Sequence, residues 1–272
     1  MARKLLGLHA LLVYAFLYAP IIVVCVFAFN GSRQVLNWEG FSVKWFRAAL
    51  ENEEIRDALR ASVLIAAGNA VLACVLGTLL ALALARMRPA LRVPIDALAY
   101  MTLVTPEIVF GISALIFFVQ VGLWIDIQSP LGLWTVLISH VVFNASVVAL
   151  IVRARFVSMG DTLEEASFDL GAGRISTFRQ VTLPRLAPAI LAGGLLAFTF
   201  SFDDFLTSFF VSGAGTQTLP LVIFGSLRFG VTPAINATAA MMLGVTLVAI
   251  IVAYVVLRRS GQVREEAVLP GV

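Results

Sequence analysis

Three carboxylates, Glu107, Asp203 and Asp204, stand inside apolar stretches of a length that crosses a bilayer. An ionised side chain at the centre of a span costs about 2.5 to 3.5 kcal/mol on insertion scales, so such acids are functional candidates by default. The chemistry they offer is attraction of a cation, with Phe110, Phe202 and Phe205 nearby to supply aromatic faces and apolar walls. Three other roles compete with this one: pairing with another chain, capping a broken helix, or staying protonated. His140, in the fourth apolar stretch, divides in the same way between lining a pathway and gluing helices together. A second polar group lies in the connection 153–186. It contains Glu164, Glu165, Ala166, Ser167, Gly171, Leu183 and Pro184. Its acids sit near a helix start, where the macrodipole favours them, and its small residues permit close approach by a partner. On these residues alone, a solvated connector and a docking surface both remain open.

The elements that must position these groups are helices in a membrane. The chain has 272 residues, of which 60% are hydrophobic and 13% charged, with a mean hydropathy of +0.98. That leaves too little polar surface for a soluble globular protein. About 20 apolar residues cross the hydrocarbon core, and 8–29, 61–85, 95–121, 131–151, 187–211 and 235–257 meet that length. The third and fifth are interrupted by the acids. A rise of about 1.5 Å per residue puts Glu107 roughly 18 Å up an unbroken third span and Asp203 roughly 22 Å up the fifth. His140 falls roughly 12 Å below the opposite edge, at a similar height, with Asn144 one turn deeper on its face.

Net charge is +3, but the basic residues sit at the ends of apolar runs and form no stripe for nucleic acid. They read as topology signals. With both termini inside, Arg3, Lys4, Arg86, Arg88, Arg92, Arg153, Arg155, Arg174, Arg179, Arg185, Arg258, Arg259 and Arg264 face the cytoplasm. Trp38, Trp45, Trp124 and Trp134 then fall at the outer interface, as anchors. In the first outer segment Glu51, Glu53, Glu54 and Asp57 suggest an amphipathic helix lying on the surface. The first apolar run is long and lacks a small-x-small cleavage site, so it reads as a retained span. Cys25 and Cys74 lie within spans, show no metal or redox pattern, and read as packing residues.

Neither lysine, Lys4 or Lys44, belongs to a phosphate loop, so the chain does not bind ATP in that way itself. Hydrolase and zinc motifs are missing as well, which leaves a membrane enzyme unsupported. Gly68, Gly77, Gly193 and Gly194 read as close-packing positions between helices.

Glu165-Ala166-Ser167, Gly171 after three residues and Val181-Thr182-Leu183-Pro184 after nine more resemble the EAA loop of permease subunits in binding-protein-dependent ABC importers. Further segments are similar to the second permease subunit of spermidine/putrescine importers. They include Leu17-Tyr18-Ala19-Pro20, Thr105-Pro106-Glu107-Ile108-Val109-Phe110-Gly111, Ser201-Phe202-Asp203-Asp204-Phe205 and Gly230-Val231-Thr232-Pro233. The resemblance implies an all-α polytopic membrane protein with six transmembrane helices in the type I importer fold and both termini cytoplasmic. It implies one permease domain over 1–272, with 153–186 as its cytoplasmic coupling loop, in a bacterial inner membrane.

It also implies the partners: a cytoplasmic ATPase dimer that binds ATP and Mg, a second homologous permease, and an extracytoplasmic solute-binding protein. The chain itself would hold no cofactor. Glu164, Glu165, Ala166, Ser167, Gly171, Leu183 and Pro184 would then serve ATPase coupling, while Glu107, Asp203, Asp204 and His140 line the path of a polyamine. Importers of an amino acid, a phosphonate or ferric ion, and a proton-coupled carrier, are the rival expectations.

Overall fold

The computed structural model describes residues 2–33, 37–228 and 230–259. Arg264, counted above among the inward-facing basic residues, lies outside them, as do the side chains of Arg3, Lys4, Arg258 and Arg259. The regular elements among the described residues are helices, joined by a single antiparallel bridge between Asn30 and Phe41. They are α1 (Ala2–Ala28), α2 (Lys44–Glu51), α3 (Glu53–Arg86), α4 (Pro89–Val104), α5 (Glu107–Trp124), α6 (Leu133–Ser158) and α7 (Thr162–Asp169). Then come α8 (Arg174–Thr177), a π-helical turn (Phe178–Thr182), α9 (Leu183–Asp203), α10 (Leu206–Val211), α11 (Leu219–Leu227) and α12 (Pro233–Arg259). Among the described residues six stretches are long and apolar enough to cross a membrane: Leu5–Ala28, Glu53–Arg86, Glu107–Trp124, Leu133–Ser158, Arg174–Asp203 and Pro233–Val252.

Three boundaries differ from the sequence expectation, each for a local reason. The third span, expected unbroken over 95–121, is interrupted at Thr105 and Pro106. A proline pushes the residue before it out of helical geometry, and Thr105 is extended at φ −61°, ψ 128°. The fifth span ends early at Asp203, because Asp204 is extended at φ −62°, ψ 124° before α10 begins. A proline ordinarily breaks a helix interior, yet Pro184 does not break the helix ahead of that span: Arg174–Asp203 runs on as one helical stretch. The Leu183 N–H bonds the Phe178 carbonyl five residues back, so the ladder widens into a π-turn just ahead of the proline, a local adjustment that helices use at such points. In the segment after α1, the expected surface helix becomes two elements. Asn52 is extended after α2, and its side chain accepts the Ile55 N–H at 3.1 Å. That caps α3, whose first turn holds Glu53 and Glu54.

The chain divides into two compact units, Met1–Arg60 with Thr218–Val245, and Ala61–Gln217 with Thr246–Val272. In the first, the loop after α1 is organised by buried Asn30. Its side-chain oxygen accepts the N–H groups of Ser32 and Glu39, and its carbonyl accepts the Trp45 indole N–H at 2.8 Å. Phe29 packs between Phe41 and Phe46 beside it.

The second unit is built around α6, the most buried of the six candidate spans. Val148, Ala149 and Val152 of α6 form a core with Ala73 and Ala81 of α3 and Leu186 and Ala197 of α9. Farther along α6, Val136, Leu137 and Val141 pack with Ile65 and Val211. Lipid tails are as apolar as leucine, so helices associate here through close van der Waals fit, which small residues permit. A Cβ at Gly77 would stand 2.7 Å from the Ala145 carbonyl oxygen, and one at Gly194 2.5 Å from Cys74 Sγ. Gly68 has ordinary contact distances, so its expected close-packing role is not required by space. α10 lies against α5, where a Cβ at Gly111 would meet Phe210 at 2.8 Å. Asp96 of α4 bonds both Arg92 and Arg153, tying α4 to α6.

Candidate functional site

Both helix interruptions of the second unit open onto the same cavity. It has a volume of about 290 Å³, with Glu107, His140, Asn144, Asp204 and Thr207 among its polar lining and Phe110, Phe143 and Phe200 among its apolar walls. That is the lower end of the range for small-molecule pockets. Glu107 is the first residue of α5, and Asp204 lies just past the end of α9. The Glu107 and Asp204 carboxyls line the same cavity from these two breaks. Two carboxyls facing one cavity repel when both are ionised, and a cation between them relieves that repulsion.

Asp204 is fixed by two partners. One of its oxygens takes the Ser208 backbone N–H at 2.7 Å and faces His140 Nε2 at 3.1 Å. The other ring nitrogen of His140 meets the Ser201 hydroxyl at 2.7 Å, and Ser208 Oγ lies 3.3 Å from Nε2. The His140 and Asp204 side chains are only 2% and 8% exposed, so this cluster is internal. Asn144, one turn along α6, bonds the His140 carbonyl and approaches Asn69 of α3, whose amide reaches the Ala197 carbonyl at 2.8 Å. A polar chain therefore joins α3, α6, α9 and α10 at the level of the cavity.

Of the four residues assigned from sequence to a solute path, Glu107, His140 and Asp204 line this cavity and Asp203 does not. Asp203 instead accepts the Thr246 hydroxyl of α12 at 3.0 Å. Consecutive residues at a helix end point in different directions, so one aspartate faces the cavity and the other a neighbouring helix. Glu107 also arrives at this level differently from the expectation, as the start of a new helix rather than the midpoint of a continuous one. Ser201 and Ser208 escaped the sequence reading. They stand on either side of the break after Asp203 and meet through His140, so no helical spacing in the sequence pointed to them.

In the 153–186 connection, α7 is bounded by glycines with left-handed backbone, Gly160 at φ +62° and Gly171 at φ +85°. A residue with a Cβ is strained in that conformation. Glu164 accepts the Thr182 hydroxyl and lies 3.4 Å from Arg86 at the end of α3. The Ser167 and Thr177 hydroxyls bond at 2.9 Å. Glu165, Ala166 and Gly171 are exposed, as are the apolar side chains of Leu170 and Ile175.

A multi-spanning helical chain with an acid-lined, solute-sized cavity at two helix breaks has the make-up of a membrane transport protein. The chain belongs to the family described as binding-protein-dependent transport system inner membrane component, whose model matches residues 73–261. It is 38% identical over 259 residues to the putrescine transport system permease protein PotI of Escherichia coli K12, covering 93% of this chain and 90% of that protein. It is 35% identical over 256 residues to the spermidine/putrescine transport system permease protein PotC of the same strain, covering 94% and 95%. PotC of Haemophilus influenzae is 36% identical over 248 residues, with 91% and 94% covered.

Among solved structures, the fold matches a chain of a bacterial ABC transporter involved in import of the acidic polysaccharide alginate. The TM-score is 0.69 at 16% identity, over 96% of both chains. It also matches the inward-facing MetNI methionine ABC transporter, with TM-score 0.60 at 15% identity, over 77% of this chain and 99% of that one. The protein is accordingly a permease subunit of an ABC importer, a transport component of the inner membrane and not an enzyme.

Proposed function

We propose that this permease carries polyamines inward, and that Glu107 and Asp204 receive an ammonium group in the cavity. The observation that supports this reading is the convergence of two carboxyls, from two separate helix breaks, between aromatic walls. A primary ammonium has three donors and no acceptor. Glu107, Asp204 and Thr207 offer acceptors in the cavity lining, while Phe110, Phe143 and Phe200 suit a methylene chain and a cation over a ring face. The names of the similar permeases from E. coli, putrescine and spermidine/putrescine, agree with this chemistry.

The whole chain then acts as one permease domain of the type I importer fold, with both termini and the 153–186 loop in the cytoplasm. It pairs with a second permease and receives solute from an extracytoplasmic binding protein. Glu165, Ala166, Ser167, Gly171, Leu183 and Pro184 belong to the surface that an ATPase dimer engages, and ATP with Mg is bound there, outside this chain. Alternating access follows from ATP-driven closure of the ATPases against the loop.

The test is uptake by the reconstituted complex at saturating binding protein. Glu107→Gln and Asp204→Asn should each cut putrescine or spermidine uptake roughly tenfold or more, the scale of losing a charge-assisted hydrogen bond of about 1.5–3 kcal/mol. Parent-like uptake in both variants removes the carboxyls from the path. Stimulation by an amino acid, a phosphonate or ferric ion instead of polyamines reassigns the solute.

A further inference from the structure

The helix α7 buries none of its residues. Both of its ends turn through left-handed glycines, Gly160 and Gly171, so neither α6 nor α8 dictates its direction by helix continuity. Beneath it lies an open cleft of about 330 Å³, lined by Arg86, Glu164, Phe168, Arg174, Phe178 and Thr182 among others, rather than a packed core. An element without apolar burial is held by its polar contacts. Among the described side chains these are the Ser167 to Thr177 hydroxyl pair and two contacts made by Glu164, to Thr182 and to Arg86. Thr182 is fully buried at the turn that leads into α9, and Arg86 ends α3 with its guanidinium 5.9 Å from the Phe156 ring of α6. The Glu164 side chain is 17% exposed, whereas its neighbour Glu165 faces outward.

We propose that Glu164 is a positioning residue for energy transmission: it anchors α7 to the spanning helices α3 and α9, while Glu165 and the exposed residues around it meet the ATPase. The inference rests on the importer reading above and changes what the two adjacent glutamates do. Movement delivered to α7 reaches the cavity through α9, because the Thr182 anchor and Asp204 stand at the two ends of that helix. Without the anchor, α7 shifts over its cleft and ATP is spent without moving solute.

The experiment uses the complete importer with its ATPase, second permease and binding protein, and reads two quantities: ATPase retained on purification, and ATP hydrolysed per polyamine imported. Glu164→Ala and Thr182→Val should keep the ATPase bound but raise the ATP-to-solute ratio about five- to tenfold, the scale of a typical coupling free energy between sites. Arg86→Gln should raise it less, since that arginine is largely exposed. Combining it with Glu164→Ala should add nothing further, as for residues acting through one contact. Glu164→Gln, which keeps an oxygen for the Thr182 hydroxyl, should stay closer to the parent. Glu165→Gln should instead release ATPase from the complex. A parent-like ratio in both Glu164→Ala and Thr182→Val overturns the proposal, and so does loss of ATPase from Glu164→Ala to the extent seen with Glu165→Gln. Absence of polyamine-stimulated hydrolysis in the parent complex is a different result and counts against the importer's assigned solute.

Discussion

At the scale of single residues, the pair Asp203 and Asp204 shows how little separates a pathway group from a structural one. Asp204 sits in the cavity with Glu107 and His140, while Asp203 accepts a hydrogen bond from Thr246 on α12. An asparagine at the latter position keeps an oxygen for the threonine. Asp203→Asn should therefore leave polyamine uptake within about twofold, surface-type changes of this kind being worth no more than ~0.5 kcal/mol. A tenfold loss in a vesicle uptake assay would contradict the assignment. His140→Leu acts differently, by stranding the Ser201 hydroxyl and removing a partner of Asp204 in a buried cluster. It should destabilise the complex by about 1–3 kcal/mol, as unsatisfied buried polar groups do, read as a lower Tm in detergent. The acids themselves were legible in sequence because hydrocarbon makes any carboxylate conspicuous. Which aspartate faces the cavity was not, since that depends on where α9 stops, and a single extended residue decides it.

At the scale of elements, hydropathy located all six spans because membrane length and apolar composition leave few alternatives. It averaged over the interruptions at Thr105–Pro106 and Asp204–Phe205, where one or two residues leave helical geometry without changing the local composition. The same holds in reverse at Pro184, whose helix continues because the preceding turn widens. Tight helix contacts give a paired test. Gly77→Ala places a methyl 2.7 Å from the Ala145 backbone oxygen, which cannot shift cheaply, whereas Gly68→Ala meets only a Leu137 methyl at 3.4 Å. The first should lower stability by about 1–3 kcal/mol through overpacking. The second should be neutral or stabilising by up to about 1 kcal/mol, since alanine is favoured over glycine in a helix. Thermal unfolding of the purified complex distinguishes the two signs.

At the scale of the whole molecule, burial is uneven. No residue in the apolar window of α1 is buried, and only 11% of that window is buried in α5. Faces this apolar suit lipid or the apolar face of a partner. The chain purified alone should neither hydrolyse ATP nor move polyamines in proteoliposomes, and both activities should appear only when ATPase, second permease and binding protein are added. Transport by the isolated chain would mark a secondary carrier instead. Membership in a family of transport system components was readable in the sequence from the spacing of Glu165, Gly171 and Pro184 in the 153–186 loop. The loop's internal anchoring was not, because Arg86 and Thr182 are distant from Glu164 in the chain and only the fold joins them.

The hydrogen bond from the Ser208 N–H to Asp204 has a consequence for how this permease could be retargeted. The carboxylate that lines the cavity also accepts an N–H of the first turn of α10, so charge and backbone support are vested in one side chain. Asparagine retains an oxygen for that N–H, whereas alanine leaves a buried donor unmet, a loss of about 1 kcal/mol or more. Drift toward neutral solutes therefore has a narrow corridor at this position, and Asp204→Asn is its widest entrance: it removes one charge from the cavity while the Ser208 N–H keeps its acceptor.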